Sequence, residues 1–149
     1  MVTFNELWEN HPWLKDATER PCSGGHDNQC AIRLGVAFLR SNISLASYRG
    51  VFCWSGHGRE HPLRAEEMKV WLNSSGADFV GSAEIAQRRA GAPISHHAYL
   101  GRTGIVMWRN FWGAGNQGDH IDLWNGEEIA HGTLDFFIRS EEVWFWALG

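Results

Sequence analysis

Cys30 and His120 are the residues whose types and surroundings best suit nucleophilic catalysis. Cys30 stands at the predicted start of a buried helix, just after Asn28 and Gln29, where unpaired backbone N–H groups and the helix dipole favour an anion. At such a position, or beside an imidazolium, the pKa of a thiol falls from about 8.5 to between roughly 3.5 and 7.5, which makes it a nucleophile near neutral pH. Taken alone, Cys30 could equally be a small buried hydrophobic residue.

His120 lies on a predicted strand, because apolar and polar residues alternate around it. With a period of two, Ile121 and Leu123 face one side of this strand and should enter the core. His120 projects from the other side, together with Asp122, and is held rigidly enough to act as a general base. It can reach Cys30 if the helix that carries Cys30 packs across the face of His120.

Helix signals dominate the first part of the chain and strand signals the second. Thr3 and Glu6 have the spacing of a capping box, so a short N-terminal helix is predicted that ends before Pro12. Residues 15–28 have the composition of a loop. Further helices are predicted over residues 30–40, 63–73 and 82–91, and strands over residues 104–112, 119–125, 134–139 and 143–148. Helices followed by strands indicate an α+β domain.

Length and composition exclude several classes of protein. The 149 residues predict a single domain over residues 1–149, and 44% apolar residues exclude a wholly disordered chain. A formal net charge of −4 disfavours binding to nucleic acid through its phosphates. No apolar run approaches the about 18 residues of a membrane span, so no membrane insertion is predicted. The first six residues hold neither a basic patch nor an apolar segment, so no secretory signal is expected.

Four segments of the chain resemble the fourth family of type VI secretion amidase effectors. They are Phe4-Asn-Glu-Leu-Trp-Glu-Asn10, Asn28-Gln-Cys-Ala-Ile-Arg-Leu34, the stretch from Cys53 through His61-Pro-Leu-Arg-Ala-Glu66 to Trp71-Leu72, and Gly118-Asp-His-Ile-Asp-Leu-Trp-Asn-Gly126. The resemblance covers nearly the whole chain. It implies a papain-like fold of the NlpC type, in which a nucleophile helix packs against a central antiparallel β-sheet. Cys30 would be the nucleophile of this fold, and His120 its general base and acid.

The same resemblance implies an activity, with no cofactor. Members of this family are similar to endopeptidases that cut the peptide stems of bacterial peptidoglycan between D-glutamate and meso-diaminopimelate. The type VI secretion machinery delivers such an effector into the periplasm of a neighbouring cell, which agrees with the missing secretory signal. The producing cell protects itself with a small cognate immunity protein, which we expect to occlude the cleft.

A third polar residue is needed to orient the imidazole of His120. Effectors of this family usually carry a carboxylate eleven residues after the histidine, where this chain has His131. Since enzymes of the NlpC type tolerate His, Asn, Gln or Asp in this role, the resemblance favours His131. Asp122 and Asp135 are the alternatives, and His131 could instead be an exposed turn residue.

The remaining cysteines and histidines allow other interpretations. Cys22 and Cys53 flank the nucleophile helix in sequence and could form a disulfide in an oxidising periplasm, or remain two buried thiols. His57 and His61 are four residues apart, a spacing that binds zinc on a helix, but the adjacent glycine and proline argue against a helix. No metal site is therefore predicted. The competing functions are a catalytically silent peptidoglycan-binding module and a zinc amidase.

Overall fold

The computed structural model describes residues 1–16, 29–53, 61–110 and 119–149. Within these residues the chain forms, in order, the helices α1 (Phe4–Glu9), α2 (Pro12–Lys15), α3 (Cys30–Arg40) and α4 (Ala65–Leu72), the strand β1 (Glu84–Gln87), a 3₁₀ helix (His96–Tyr99), the strands β2 (Gly104–Arg109) and β3 (His120–Trp124), the helix α5 (Asp135–Arg139) and the strand β4 (Glu142–Ala147). These elements confirm the predicted α+β class. None of the described helices is long and apolar enough to cross a membrane.

The four strands form one antiparallel sheet in the order β1-β4-β2-β3. β2 lies between β4 and β3, and its Trp108 is paired with His120 of β3. Gly104 allows β2 and β4 to approach closely, because a Cβ at this position would lie 2.2 Å from the carbonyl oxygen of Trp146. β3 is left as an edge strand of the sheet, so its side chains are within reach of the helices that flank this edge.

Each face of the sheet covers a separate apolar core. One core joins the sheet to α3 and includes Ile105, Met107, Ile121, Leu123, Trp146, Ala31 and Leu34. The other core includes Val106, Trp108, Trp124, Val143, Phe145, Tyr99 and Phe137. The prediction that Ile121 and Leu123 enter the core is confirmed. The condition set for contact with Cys30, that α3 packs across the face of His120, is not met, because the helix lies on the opposite face, with Ile121 and Leu123.

The predicted capping box is present at the start of α1. Thr3 Oγ1 accepts the backbone N–H of Glu6 at 3.3 Å, and Glu6 Oε2 accepts the backbone N–H of Thr3 at 3.0 Å. The backbone N–H of Phe4 donates to the carbonyl of Gly149 at 2.8 Å. The first helix is therefore tied to the last residue of the chain.

The predictions for the other N-terminal helices hold in part. α3 spans the residues predicted for the buried helix, and α4 covers most of the segment predicted over residues 63–73. The sequence patterns do not predict α2, which has Pro12 at its first position and His11 as its N-cap. Residues 17–28 of the predicted loop and residues 111–112 of the first predicted strand lie outside the described residues.

The helix predicted over residues 82–91 is wrong. Residues Glu84–Gln87 form β1, which pairs with β4 from Glu84 opposite Phe145 to Gln87 opposite Glu142. The alanine, glutamate and arginine content of this segment favours a helix, but pairing with β4 supplies backbone hydrogen bonds that local propensity does not include. Because most of β1 is exposed, the sequence also lacks an alternating apolar pattern there.

The strand predicted over residues 134–139 is wrong as well, since Asp135–Arg139 form α5. Aromatic and β-branched residues favour a strand here. The helix is stabilised instead by the burial of Phe137 and by Ser140, whose hydroxyl donates to the carbonyl of Phe136 at 2.6 Å. Tertiary packing of one aromatic ring has overridden the local preference.

Phe137→Ala is expected to lower the free energy of unfolding by about 3 to 5 kcal/mol, the usual cost of removing a buried phenylalanine ring. The ring of Phe137 is fully buried, with centroid distances of 5.5 Å to Tyr99, 5.3 Å to Trp108 and 5.2 Å to Trp124. The matched control Ile138→Ala removes a side chain of the same helix that is 48% exposed, and should cost at most about 0.5 kcal/mol. Urea unfolding followed by circular dichroism measures both, and equal costs would contradict this packing.

Candidate active site

Cys30 is the first residue of α3, so its thiol lies at the end of the helix where backbone N–H groups have no partner within the helix. The side chain of Gln29, the N-cap residue, makes no capping hydrogen bond. The N–H of Arg33 donates to the carbonyl of Gln29 at 2.8 Å, which starts the helical hydrogen bonds. This end of α3 can therefore stabilise a negative charge on a sulfur or an oxygen beside it.

The structure brings His120 to Cys30, with a hydrogen bond between the two side chains. His120 is the first residue of β3 and is 8% exposed. Its ring packs against Trp108 and Phe136, at centroid distances of 5.7 Å and 5.2 Å. Because β3 is an edge strand, the side chain can reach the start of α3 although the helix packs on the other face of the sheet.

Asp122 binds His120 and is itself bound on both carboxylate oxygens. His120 Nε2 donates to Asp122 Oδ2 at 3.2 Å, and the backbone N–H of His131 donates to the same oxygen at 2.9 Å. Oδ1 accepts from His11 Nε2 at 2.8 Å and from the backbone N–H of Leu123 at 2.9 Å. The four hydrogen bonds compensate for the burial of a charge. A continuous chain of hydrogen bonds thus runs from the thiol through His120 to Asp122.

The side chain of His131 does not make the contact that the resemblance implies. The ring centroids of His120 and His131 are 6.5 Å apart, which is too far for a hydrogen bond between the two rings. Nδ1 of His131 instead accepts from Arg33 Nη1 at 3.1 Å, and the ring packs against Trp13 at a centroid distance of 3.9 Å. Burial and the Arg33 guanidinium lower the pKa of His131, so its ring is a neutral acceptor at neutral pH.

The path of the chain after β3 explains why Asp122, and not His131, contacts His120. The N–H of Ala130 donates to the carbonyl of Leu123 at 3.0 Å, so the following residue runs along β3 and presents its backbone to Asp122. Asp135, the other alternative, is exposed on α5, and its carboxylate is bonded to residues of its own turn and helix. Of the three candidates, Asp122 has the geometry to orient the imidazole.

Burial and charge shift the pKa values of the central groups in opposite directions. Burial by itself would lower the pKa of His120, but the hydrogen bonds and negative charges of Asp122 and Cys30 outweigh it and raise the pKa to about 10. Burial would raise the pKa of Asp122, but His11 and His120 together hold it well below its usual range. His120 therefore carries two ring protons at neutral pH, and Asp122 is ionised.

His11 is the residue of this cluster that sequence reasoning missed. It is fully buried and contacts Asp122 from a position 111 residues away in the sequence. The following Pro12 signals the start of a helix, and nothing in the spacing points to a contact with β3. A buried histidine in the first dozen residues could only be connected with the active site once the fold was known.

The other cysteines and histidines are only partly described. Cys53 is buried, with its Sγ 3.4 Å from Nδ1 of His61. Cys22 and His57 lie outside the described residues, so the possible disulfide between Cys22 and Cys53 stays a prediction, and the spacing of His57 and His61 has no structural counterpart to compare. Across the described ranges, no group of three or more His, Cys, Asp or Glu side chains is arranged to hold a metal ion.

Asp122 should make folding stability depend on pH under acidic conditions. Its pKa is below the unfolded value of 3.8, so its contribution is complete above that value and is lost as the pH falls through the folded pKa. His120 is protonated in both states below about pH 5 and does not obscure the effect. We therefore expect the free energy of unfolding of the wild type to fall more steeply between about pH 5 and pH 2 than that of Asp122→Asn.

Urea unfolding at several pH values, followed by tryptophan fluorescence, measures the two slopes. Asp135→Asn is the matched control, since its carboxylate also has a lowered pKa, through hydrogen bonds to Thr133 and Arg139, but lies exposed on the surface. Its slope should stay close to that of the wild type. Parallel curves for the wild type and Asp122→Asn would argue against an ionised, tightly bound Asp122.

Comparisons with known proteins agree with this architecture. The family model described as "Type VI secretion system (T6SS), amidase effector protein 4" (Tae4) matches residues 26–146. No curated protein sequence matches the chain significantly.

A chain of the Tae4–Tai4 effector–immunity complex from Salmonella Typhimurium has a similar structure, with 20% sequence identity and a TM-score of 0.71. The match covers 100% of this chain and 99% of that one. Tae4 from Enterobacter cloacae is similar over 100% and 98% of the two chains, with 19% identity and a TM-score of 0.70. The likeness to these structures confirms the predicted fold, with the helix that begins at Cys30 packed on an antiparallel sheet.

Proposed function

We propose, because the chain belongs to the type VI secretion system amidase effector protein 4 family, that it is a cysteine endopeptidase that cuts peptidoglycan stem peptides between D-glutamate and meso-diaminopimelate. Membership makes the protein an amidase effector of this secretion system. The mechanism is supported most directly by one observation. Cys30 begins α3 and is hydrogen-bonded to a buried His120, which is bound in turn by an ionised Asp122.

The first half of the reaction forms a thioester. The Cys30 sulfur, as thiolate, attacks the carbonyl carbon of the scissile amide, and the carbonyl electrons move onto its oxygen. The backbone N–H of Cys30 and the positive end of α3 stabilise this oxyanion. The tetrahedral intermediate collapses, the C–N bond breaks, and His120 gives its proton to the departing amine.

The second half of the reaction restores the enzyme. Neutral His120 takes one proton from a water molecule, whose oxygen attacks the thioester carbon. The C–S bond breaks, the Cys30 thiolate leaves, and the new carboxylic acid loses its proton to solvent. Asp122 keeps the imidazole in place in both halves and stabilises its charged form, as the carboxylate of a Ser-His-Asp triad does. Since His120 carries two ring protons in the resting protein, the proton that the departing amine needs is in place before the substrate binds.

The family membership also supports a location and a partner. We expect the effector to act in the periplasm of a target cell, where the peptide stems are exposed. Similar chains from Salmonella typhimurium and Enterobacter cloacae have been solved as complexes of Tae4 with Tai4 immunity proteins. A small cognate immunity protein that occludes the cleft beside Cys30 is the partner that we expect for this chain.

Analysis of the reaction products tests which bond of the stem peptide the protein cuts. Purified sacculi and a disaccharide-tetrapeptide fragment are incubated with the protein, and the products are identified by mass spectrometry. The expected result is a pair of products with a new carboxylate on D-glutamate and a new amino group on meso-diaminopimelate. Cleavage at another bond would overturn the specificity, and binding without cleavage would favour the catalytically silent module.

Two further arms of this experiment address the class of enzyme. Iodoacetamide, which alkylates thiols, should abolish cleavage, whereas a metal chelator should leave the rate unchanged. The opposite pattern would overturn the cysteine mechanism in favour of the zinc amidase.

A further inference from the structure

His11 lies at the far end of the hydrogen-bond chain of the active site, and no step of the proposed mechanism uses it. The residue is 0% exposed and is the N-cap of α2. Its Nε2 lies 2.8 Å from Asp122 Oδ1, the shortest of the four hydrogen bonds to this carboxylate. Histidine is not among the residues that cap helices best, so capping α2 does not by itself explain this residue.

Both ring nitrogens of His11 have a partner, and this fixes the tautomer. The backbone N–H of Trp13 donates to Nδ1 at 3.2 Å, so Nδ1 has a lone pair and the ring proton is on Nε2. Nε2 therefore donates to Asp122. As a neutral donor, His11 leaves the negative charge of Asp122 available to stabilise the imidazolium of His120.

The position of His11 decides how firmly the carboxylate of Asp122 is held. Without His11, Oδ1 would keep only the hydrogen bond from the backbone N–H of the adjacent Leu123. The carboxylate could then turn about its Cβ–Cγ bond and weaken the 3.2 Å hydrogen bond to His120. Groups that orient a ligand or a catalytic side chain in this way are commonly worth one to two orders of magnitude in activity.

The other charged and titratable groups along the hydrogen-bond chain through Asp122 and its neighbours come from three segments. α3 contributes Cys30 and Arg33, β3 contributes His120, and the chain after β3 contributes His131. Arg33 Nη1 is engaged by Nδ1 of His131, and His131 reaches the carboxylate through its backbone N–H. His11 is thus the side chain that binds Asp122 on the side opposite His120.

We propose that His11 is a positioning residue of this active site, which as a neutral donor orients Asp122 so that Asp122 holds His120 toward Cys30. The inference rests on the proposed cysteine mechanism and adds a fourth residue to it. The two ring nitrogens of His11 are bonded to Asp122 and to the backbone N–H of Trp13, so His11 acts on the rate through Asp122.

Variants of His11 test this role. His11→Phe keeps a ring without a donor, and His11→Gln places an amide N–H where it can replace Nε2. Met68→Ala, a cavity variant in the core beneath α4, is the control for lost stability alone. The values of kcat and KM are measured on a muropeptide fragment from about pH 6 to pH 11, and the ring protons of His120 are titrated by NMR.

His11→Phe is expected to lower kcat by about 10- to 100-fold and to leave KM within about twofold of the wild-type value. It should also shift the alkaline limb of the pH–rate profile, and the titration of His120 seen by NMR, to lower pH. His11→Gln should recover at least about fivefold of this loss, and Met68→Ala should leave both titrations in place. Wild-type kcat and titration in His11→Phe would overturn the proposal. So would the same titration shift in Met68→Ala.

Two further outcomes are informative. If His11→Phe does not fold, the comparison moves to His11→Gln and the shorter His11→Asn, and equal kcat values for these two would overturn the proposal. Cleavage that survives Cys30→Ala would overturn the proposed function itself. Loss of cleavage in Cys30→Ala together with an unaffected His11→Phe would overturn the role of His11 only.

Discussion

Replacing Cys30 with alanine is expected to abolish cleavage of peptidoglycan peptides, with a fall in kcat/KM of about four orders of magnitude or more. The reason is that Cys30 is the cysteine that, among the described residues, begins a helix and is bonded to His120, so no other described thiol is placed to accept the acyl group. The fold should survive, because alanine favours the helix and leaves only a small void. Chromatography of the fragments measures the rate, and circular dichroism checks the fold.

Cys53→Ser is the matched control for this experiment. Cys53 is also a buried cysteine beside a histidine ring, but it lies outside the helix start, and its Sγ is near Nδ1 of His61 rather than His120. A serine can keep the contact with His61, so wild-type cleavage is expected. A folded Cys30→Ala protein that still cleaves would rule out the cysteine mechanism.

Replacing Asp122 with asparagine should lower kcat by about two to four orders of magnitude, as expected when the carboxylate that orients a catalytic histidine loses its charge. The neutral amide cannot stabilise the imidazolium of His120 as a carboxylate does. Its NH2 group also replaces one of the two oxygens, so it faces either the donor His11 or the donor His120. His131→Ala should lower kcat by at most about tenfold, because its ring contacts Arg33 and not His120.

The two variants separate the candidates for the third catalytic residue. Rates are compared on the same muropeptide fragment, after urea unfolding has shown that both variants are folded at the assay temperature. A large loss in His131→Ala with little change in Asp122→Asn would return the orienting role to His131. Asp135→Ala, which removes a partly exposed side chain of α5, should resemble the wild type in either case.

The two residues that we propose to break the bond could be found in the sequence, because each has a strong local signal. Cys30 begins a helix that is apolar nearly all round, and His120 stands in an alternating strand. The capping box at Thr3 and Glu6 can be predicted from the sequence in the same way, since it needs only two residues three positions apart. Local spacing was sufficient wherever the physical interaction is itself local.

The residues that orient His120 could not be fully predicted, because their contacts depend on tertiary structure. Asp122 was an alternative on the correct face of the strand, but the spacing typical of the family favoured His131. Which of the two side chains meets the imidazole depends on how the chain after β3 runs along this edge strand. The predictions for β1 and α5 are wrong for the same reason. Pairing with β4 overrides the helix propensity of β1, and the burial of Phe137 overrides the strand propensity of α5.

The order of strands in the sheet has a consequence for how the enzyme folds. β4 lies between β1 and β2 although it follows both in the sequence, so the described sheet is continuous only when β4 has paired with both of them. The bond between His11 and Asp122 spans 111 residues, and the termini meet through Phe4 and Gly149. Contacts of such high sequence separation make folding slow, and they form together with the global fold. Partly folded chains should therefore be inert, and hydrolytic activity should appear during refolding in a single phase, together with burial of the tryptophans.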